Sequence, residues 1–94
     1  MVLSQHSDSQ LVKSYISGQE AAFEILLNRH QEAIFKFIYH KLKDSELAND
    51  IFQETFVKVI QKLKVGAYQE EGKFLPWVLR IAHNLVIDHF RRQR

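Results

Sequence analysis

Hydrophobic residues recur along this chain at intervals of three and four positions, which is the period of an amphipathic α-helix. The longest such run extends from about Glu20 to Leu42 and predicts one long helix, the expected spine of a bundle. Its apolar stripe consists of Phe23, Leu26, Leu27, His30, Ile34, Phe37, Ile38 and Leu42. A second run predicts a helix that is capped by Asp44 and ends before Gly66. Its stripe consists of Leu47, Ala48, Ile51, Phe52, Thr55, Phe56, Val59, Ile60 and Leu63.

Two further helices are predicted towards the ends of the chain. Asp8 is the expected N-cap of a short helix, and Gly18 is able to adopt the left-handed conformation that ends it. Residues 65–73 contain two glycines and no apolar period, so they are predicted to be a loop. Pro76 fits the first turn of the last helix, where no N–H is needed. The buried stripe of that helix is predicted to be Trp77, Val78, Ile81, Ala82, Leu85, His89 and Phe90.

These elements define the expected fold class. Because no strand pattern competes with the helical period, we predict an all-α fold, a compact bundle of four helices of which the N-terminal one is short and the other three are longer. Residues 1–7 are expected to be a flexible N-terminus, and residues 8–94 are expected to form one domain. A chain of 94 residues with 46% hydrophobic content suits a single core.

The composition excludes several classes of protein. No apolar run approaches the roughly 18 residues of a membrane span. The N-terminus has no basic region followed by an apolar segment, so we expect no secretion signal and a cytoplasmic location. The chain contains no cysteine, which excludes disulfides and thiolate metal sites.

An enzyme is the least supported class. The sequence has no glycine-rich phosphate loop, no nucleophile elbow and no zinc-binding pair of histidines with a glutamate between them. The spacing of the five histidines does not place two on one helical turn. We therefore predict no catalytic residue, no metal site, no cofactor and no small-molecule substrate.

The net charge is only +2, but the charges are segregated along the chain. Between Asp44 and Val57 there are four acidic residues and no lysine or arginine. From Lys73 onward, five lysines and arginines accompany a single acid, Asp88. The third predicted helix is therefore acidic in its first half, and the last helix is basic.

A polar patch is predicted on the third helix. Asp50, Gln53 and Glu54 stand at i, i+3 and i+4, so they share the side opposite the apolar stripe. Carboxylates and an amide in this arrangement are suited to receive arginines from a partner helix. A face that only keeps the domain soluble is the alternative interpretation.

The last helix carries a pattern typical of nucleic-acid binding. Arg80, Asn84 and Arg91 fall at i, i+4 and i+11 along one side. Arginine binds phosphate and an asparagine amide is able to contact a base edge. A basic end that merely complements the helix dipole would explain Arg91 but not Arg80 and Asn84. Trp77 fits either the core or a stacking platform beside this stripe.

At these positions the chain resembles conserved region 2 of bacterial sigma factors of the extracytoplasmic-function group. The resemblance extends from about Asp8 to Arg94, with the aromatic loop residue Tyr68 between its two main motifs. Those motifs are Asp50-Ile51-x-Gln53-Glu54-x-Phe56 and Phe74-x-x-Trp77-x-x-Arg80-Ile81-Ala82-x-Asn84. Their order and separation make the resemblance specific.

The resemblance implies two partners. The helix with the acidic patch is expected to bind the clamp coiled coil of the largest catalytic subunit of RNA polymerase, through Asp50, Gln53 and Glu54. The following loop and the start of the last helix are expected to bind the non-template strand of the minus-10 promoter element and to hold one base flipped out of the duplex. The DNA-binding residues are then Tyr68, Lys73, Trp77, Arg80 and Asn84, to which the basic stripe adds Arg91. An anti-sigma factor is a further candidate partner.

Two features depart from the family pattern. The loop carries Glu70 and Glu71 where a phosphate-binding surface is expected. The sequence therefore does not identify which base is flipped. Either glutamate is able to accept a hydrogen bond from a cytosine amine. The second family domain, which binds the minus-35 element through a helix-turn-helix, is absent from the sequence, so we expect a part of a longer protein. The alternative function is a helical adaptor bundle that binds only proteins and has an incidental basic end.

Overall fold

Four α-helices and one short 3-10 helix build the described part of the chain, residues 3–68 and 71–93 of a computed structural model. The elements are the 3-10 helix Leu3–Gln5, α1 (Asp8–Ile16), α2 (Glu20–Leu42), α3 (Ser45–Lys64) and α4 (Phe74–Arg92). No strand occurs within these residues, and the predicted all-α bundle of one short and three longer helices is confirmed. In the same residues, no helix combines the length and apolar character needed to cross a membrane.

The long helix α2 is the centre of the bundle. It packs against α1, α3 and α4, and α3 also packs against α4. The bounds predicted for α2 are confirmed, since the helix begins at Glu20 and ends at Leu42. Side chains from all four helices are completely buried: Leu11, Val12, Ala22, Ile34, Ile38, Ala48, Val59, Val78 and Ala82. Each large aliphatic side chain in this core stabilises the fold by about 1.5–3 kcal/mol.

The N-terminus of α3 is fixed as predicted. The Asp44 side chain accepts a hydrogen bond from the backbone N–H of Leu47 at 3.0 Å. Further along α3, the hydroxyl of the fully buried Thr55 donates to the carbonyl of Ile51 at 2.7 Å, so this polar group is satisfied inside the core. The helix ends at Lys64, before Gly66, whose φ of 73° is the left-handed conformation that glycine favours.

The predicted N-cap of α1 is wrong by one residue. Ser7 is the cap: its hydroxyl accepts from the N–H of Gln10, whose side chain in turn accepts from the N–H of Ser7. Asp8 instead ties α1 to α2, with one carboxylate oxygen 2.9 Å from Arg29 Nη1 and the other 2.7 Å from His30 Nε2. Residues 3–7, assigned from the sequence to a flexible N-terminus, include the 3-10 helix, from which Leu3 packs against the core.

The predicted buried stripe of α4 is wrong at its C-terminal end. Phe90 is 47% exposed and His89 is only partly buried, whereas Phe74 and Val86 are buried. With 3.6 residues per turn, position 90 lies about 120° around the helix from the buried Val78. The Phe90 ring therefore points away from the bundle.

The cap of α3 gives a direct test of this fold. Asp44→Ala removes the acceptor of the Leu47 N–H and should lower the free energy of unfolding by about 1 kcal/mol, measured by urea denaturation followed by circular dichroism. Asp50→Ala is the matched control, because it removes an exposed carboxylate from the middle of the same helix. Equal stability of the two variants would contradict a capping role for Asp44.

Candidate functional site

The predicted polar patch forms an exposed surface on α3. Asp50, Gln53 and Glu54 are all exposed, while the intervening Ile51 and the following Thr55 are buried. No ion pair among the described residues engages either carboxylate of the patch. We call these three residues the acidic face. Its groups are accessible to a partner, as the sequence predicts.

An apolar residue adjoins the acidic face, and sequence reasoning missed it. Val57 is 53% exposed and stands three positions after Glu54 and seven after Asp50, so it lies on the same side of α3. The sequence did contain a signal for its exposure, because Val57 is an apolar residue that lies outside the predicted apolar stripe of α3. Protein-binding surfaces combine an apolar centre with polar groups around it, and an exposed valine among polar residues matches this composition.

Four of the six predicted DNA-binding residues line one cleft. Tyr68, Lys73, Trp77 and Arg80 surround a space of about 610 Å³ between the loop after α3 and the first turns of α4. The remaining lining residues are Glu71, which the sequence offers with Glu70 as a contact to a base, and Gly66, Ala67 and Pro76, for which no role was predicted. Gln69 and Glu70 of the same loop lie outside the described residues. The sequence motif therefore folds into one concave surface with mixed aromatic and charged character.

An aromatic cluster forms one wall of the cleft. The ring centroids of Tyr68 and Trp77 are 4.3 Å apart, with 36° between the ring planes. The centroid of the Phe74 ring is 6.4 Å from that of Tyr68 and 6.1 Å from that of Trp77. Phe74 itself is only 2% exposed. Trp77 is partly buried, so it belongs to the edge of the core and to the cleft at once.

A residue of α2 supports the aromatic cluster of the cleft. The His30 ring lies 6.0 Å from the Phe74 ring, and His30 is held by Asp8 at the start of α1. Sequence reasoning treated His30 as part of the α2 stripe and did not connect it to the loop. Contacts between α1, α2 and α4 therefore fix the ring on which Tyr68 and Trp77 rest.

The other two predicted residues lie along α4 and do not line the cleft. Asn84 and Arg91 are exposed and share a side of the helix with Arg80. Arg91 Nη1 is 4.0 Å from Asp88 Oδ1, an exposed pair at the outer limit of an ion pair. At 1.5 Å of rise per residue, Arg80 and Arg91 are about 16 Å apart along the axis. The polar side of α4 thus extends the cleft into a longer strip.

The charges within the cleft do not all favour an anion. Lys73 and Arg80 are basic, whereas Glu71 contributes a carboxylate. Among the described residues, no group of three or more histidine or acidic side chains is placed to hold a metal ion. The cleft is therefore suited to a ligand that carries negative charge on one part and hydrogen-bond donors on another.

The fold and these two surfaces define a class: a small helical domain with an exposed acidic face and an aromatic cleft that contains basic residues. The sigma-70 region 2 family matches residues 26–94. The chain belongs to this family, as a region 2 domain of the extracytoplasmic-function (ECF) group.

Several curated proteins are similar along most of the chain. The ECF RNA polymerase sigma factor BldN of Streptomyces coelicolor is 31% identical, covering 90% of this chain and 32% of BldN. The RNA polymerase sigma-H factor of Pseudomonas aeruginosa is 33% identical, covering 94% and 45%. The RNA polymerase sigma factor CarQ of Myxococcus xanthus is 34% identical, covering 88% and 47%. The chain thus spans about one third to one half of the length of these relatives.

The aromatic pair is testable because Trp77 is the only tryptophan. Tyr68→Ala uncovers the indole, so Trp77 fluorescence should shift to longer wavelength while circular dichroism shows the helices retained. Tyr39→Ala is the control, since Tyr39 is exposed on α2 and its ring contacts Phe35 and His40. An unchanged emission maximum in Tyr68→Ala would show that the two rings are not in contact in solution.

Proposed function

We propose that this domain acts in transcription initiation, as the part of a sigma factor that binds both RNA polymerase and the minus-10 promoter element. Membership of the sigma-70 region 2 family supports this role at the level of the family. The main observation in favour of DNA binding is that one cleft is lined by two aromatic and two basic residues, Tyr68, Trp77, Lys73 and Arg80. Its partners are then core polymerase and promoter DNA, with an anti-sigma factor as a further candidate.

The acidic face is the proposed polymerase surface. The resemblance assigns Asp50, Gln53 and Glu54 to the clamp coiled coil of the largest catalytic subunit. Their exposure, and the absence of ion pairs to them within the described residues, supports this assignment. Carboxylates that already had a partner in the domain would have to lose it on binding. The exposed Val57 beside them adds apolar area that a helix of the partner would cover.

The cleft is the proposed site for a base of the non-template strand. Flipping a base out of the duplex costs a few kcal/mol, and stacking on an aromatic side chain returns about 1–3 kcal/mol per base. The Tyr68–Trp77 pair offers the stacking surface, and Lys73 and Arg80 offer charge to the neighbouring phosphates. Capture of single strand then drives opening of the promoter, with no chemical step.

The strip along α4 is the proposed path of the strand beyond the cleft. Arg80, Asn84 and Arg91 follow one another over about 16 Å, which is the length of a few nucleotides at roughly 3.4 Å each. Because Arg91 is close to Asp88, we expect it to contribute less than Arg80. Asn84 is the residue in this strip whose amide is able to both donate to and accept from a base edge.

The polymerase surface is tested by charge reversal. Glu54→Lys should weaken binding of the domain to the isolated clamp coiled coil at least several-fold, because it puts a cation where arginines of the partner are expected. Glu24→Lys, the same change at an exposed residue of α2, should bind like the wild type. If Glu54→Lys is folded and is retained in the pull-down as well as Glu24→Lys, the assignment of Glu54 is wrong.

The DNA surface is tested with single-stranded oligonucleotides. Arg80→Ala and Asn84→Ala should each weaken binding, and Arg80→Ala should also reduce the steepness with which affinity falls as salt rises. Lys13→Ala, which removes an exposed cation of α1, is the control for net charge. An adaptor that binds only proteins would give no measurable affinity for the oligonucleotides in any of these variants.

A further inference from the structure

We infer that Asp8 is a positioning residue of the cleft, which acts through His30 and Phe74, so that the docking of α1 controls how tightly the cleft binds DNA. The inference rests on the proposed DNA-binding function and adds a means of regulating that same site. Asp8 lies in the first turn of α1, whereas the cleft is lined by the loop after α3 and by α4. Its effect on a bound strand is therefore indirect.

The start of α4 depends on packing, because no side chain caps it locally. Lys73 occupies the N-cap position, and within the described residues its side chain makes no capping hydrogen bond. The N-cap residues of α1 and α3, Ser7 and Asp44, each accept a hydrogen bond from their own helix. The first residue of α4, Phe74, is 2% exposed, so its burial holds the first turn in place. Lys73 and Trp77 of the cleft stand on either side of Phe74 in the sequence, so a shift of Phe74 displaces both.

His30 connects Phe74 to α1. The centroids of the two rings are 6.0 Å apart, within the range in which the arrangement of aromatic rings affects their interaction energy. An ionised carboxylate only accepts hydrogen bonds, so the Nε2–H of His30 donates to Asp8, over 2.7 Å. This bond fixes the rotation of the imidazole about its Cβ–Cγ bond and thus the side that it presents to Phe74. Without Asp8, the imidazole is free to turn.

Removal of Asp8 tests the inference, because charge and positioning predict opposite effects. Asp8→Ala takes away a negative charge, which by itself favours binding of a polyanion. Loss of positioning predicts the reverse. The whole chain with Asp8→Ala should bind a single-stranded oligonucleotide of mixed sequence at least about fivefold more weakly than the chain with Glu24→Ala. Glu24→Ala is the matched control, since it removes an exposed acid of α2.

The fluorescence of the free protein gives a second measurement that needs no DNA. Trp77 is the only tryptophan, so its emission reports on the wall of the cleft. The emission should shift to longer wavelength in Asp8→Ala, because the ring that supports Trp77 is less well held, and should stay unchanged in Glu24→Ala. Circular dichroism checks that both variants keep their helices.

The variant His30→Gln separates the positioning role of Asp8 from its role within α1. Asp8 also lies 2.9 Å from Arg29 and is the acid in the first turn of α1, so Asp8→Ala affects that helix as well. The amide that His30→Gln introduces is able to donate to Asp8 but provides no ring against Phe74. His30→Gln should therefore show the same shift of Trp77 emission and the same loss of affinity. A role of Asp8 confined to α1 predicts neither effect.

The outcomes distinguish this inference from the function on which it rests. If Asp8→Ala binds the oligonucleotide as tightly as Glu24→Ala, control by Asp8 is overturned and DNA binding by the cleft remains. Wild-type emission and affinity in folded His30→Gln overturn the link through His30 and Phe74, and this variant decides the inference if Asp8→Ala does not fold. If the wild type binds no oligonucleotide, even at low salt, the proposed DNA-binding function fails together with the inference.

Discussion

The packing of Phe74 joins the core of the bundle to the cleft, and both depend on it. Phe74 is 2% exposed, and the centroid of its ring is 6.0–6.4 Å from those of His30, Tyr68 and Trp77. His30 is in turn held by Asp8, so residues far apart in the sequence fix the position of one ring. An aromatic pair that rests on such a ring is held in place by the core, and in the proposed function this order reduces the entropic cost of binding a base.

The helical period separates stability from binding within each helix. On α3, Ile51 and Thr55 are buried while the residues of the acidic face between and beside them are exposed. On α4, Val78 and Ala82 are buried while Arg80 and Asn84 face outward. Neighbouring positions are about 100° apart around the axis, so one helix packs one side into the core and leaves another side exposed for the proposed partner. The two surfaces are therefore able to differ in charge without any change in the core.

Local signals in the sequence were sufficient for most of the fold. The bounds of α2 and the cap at Asp44 follow from residues within a few positions of each other, and both are confirmed. The cap of α1 was missed because Ser7 and Asp8 are adjacent cap-formers, and the partners that engage Asp8 are more than twenty residues away. Phe90 was misassigned because an apolar residue was counted without its angle around the helix.

Less of the candidate site than of the fold could be predicted from the sequence. Exposure of the acidic face follows from spacing alone, but the cleft forms only when the loop folds against α4. The contact between Tyr68 and Trp77, and the presence of Glu71 and Lys73 in the lining of one cleft, depend on the path of a loop that has no period. Two glycines with positive φ, Gly66 and Gly72, shape this path. Their presence in the sequence predicts a turn but not which side chains the turn brings together.

The central claim is that one small bundle meets DNA and protein through separate surfaces. Nuclear magnetic resonance of the isotope-labelled chain, titrated with a single-stranded minus-10 oligonucleotide, tests it most directly. The account predicts that the resonances of Tyr68, the Trp77 indole and Arg80 shift while those of Asp50, Gln53 and Glu54 stay in place. Shifts centred on the acidic face, or an unaffected Trp77 indole at saturation, would contradict it.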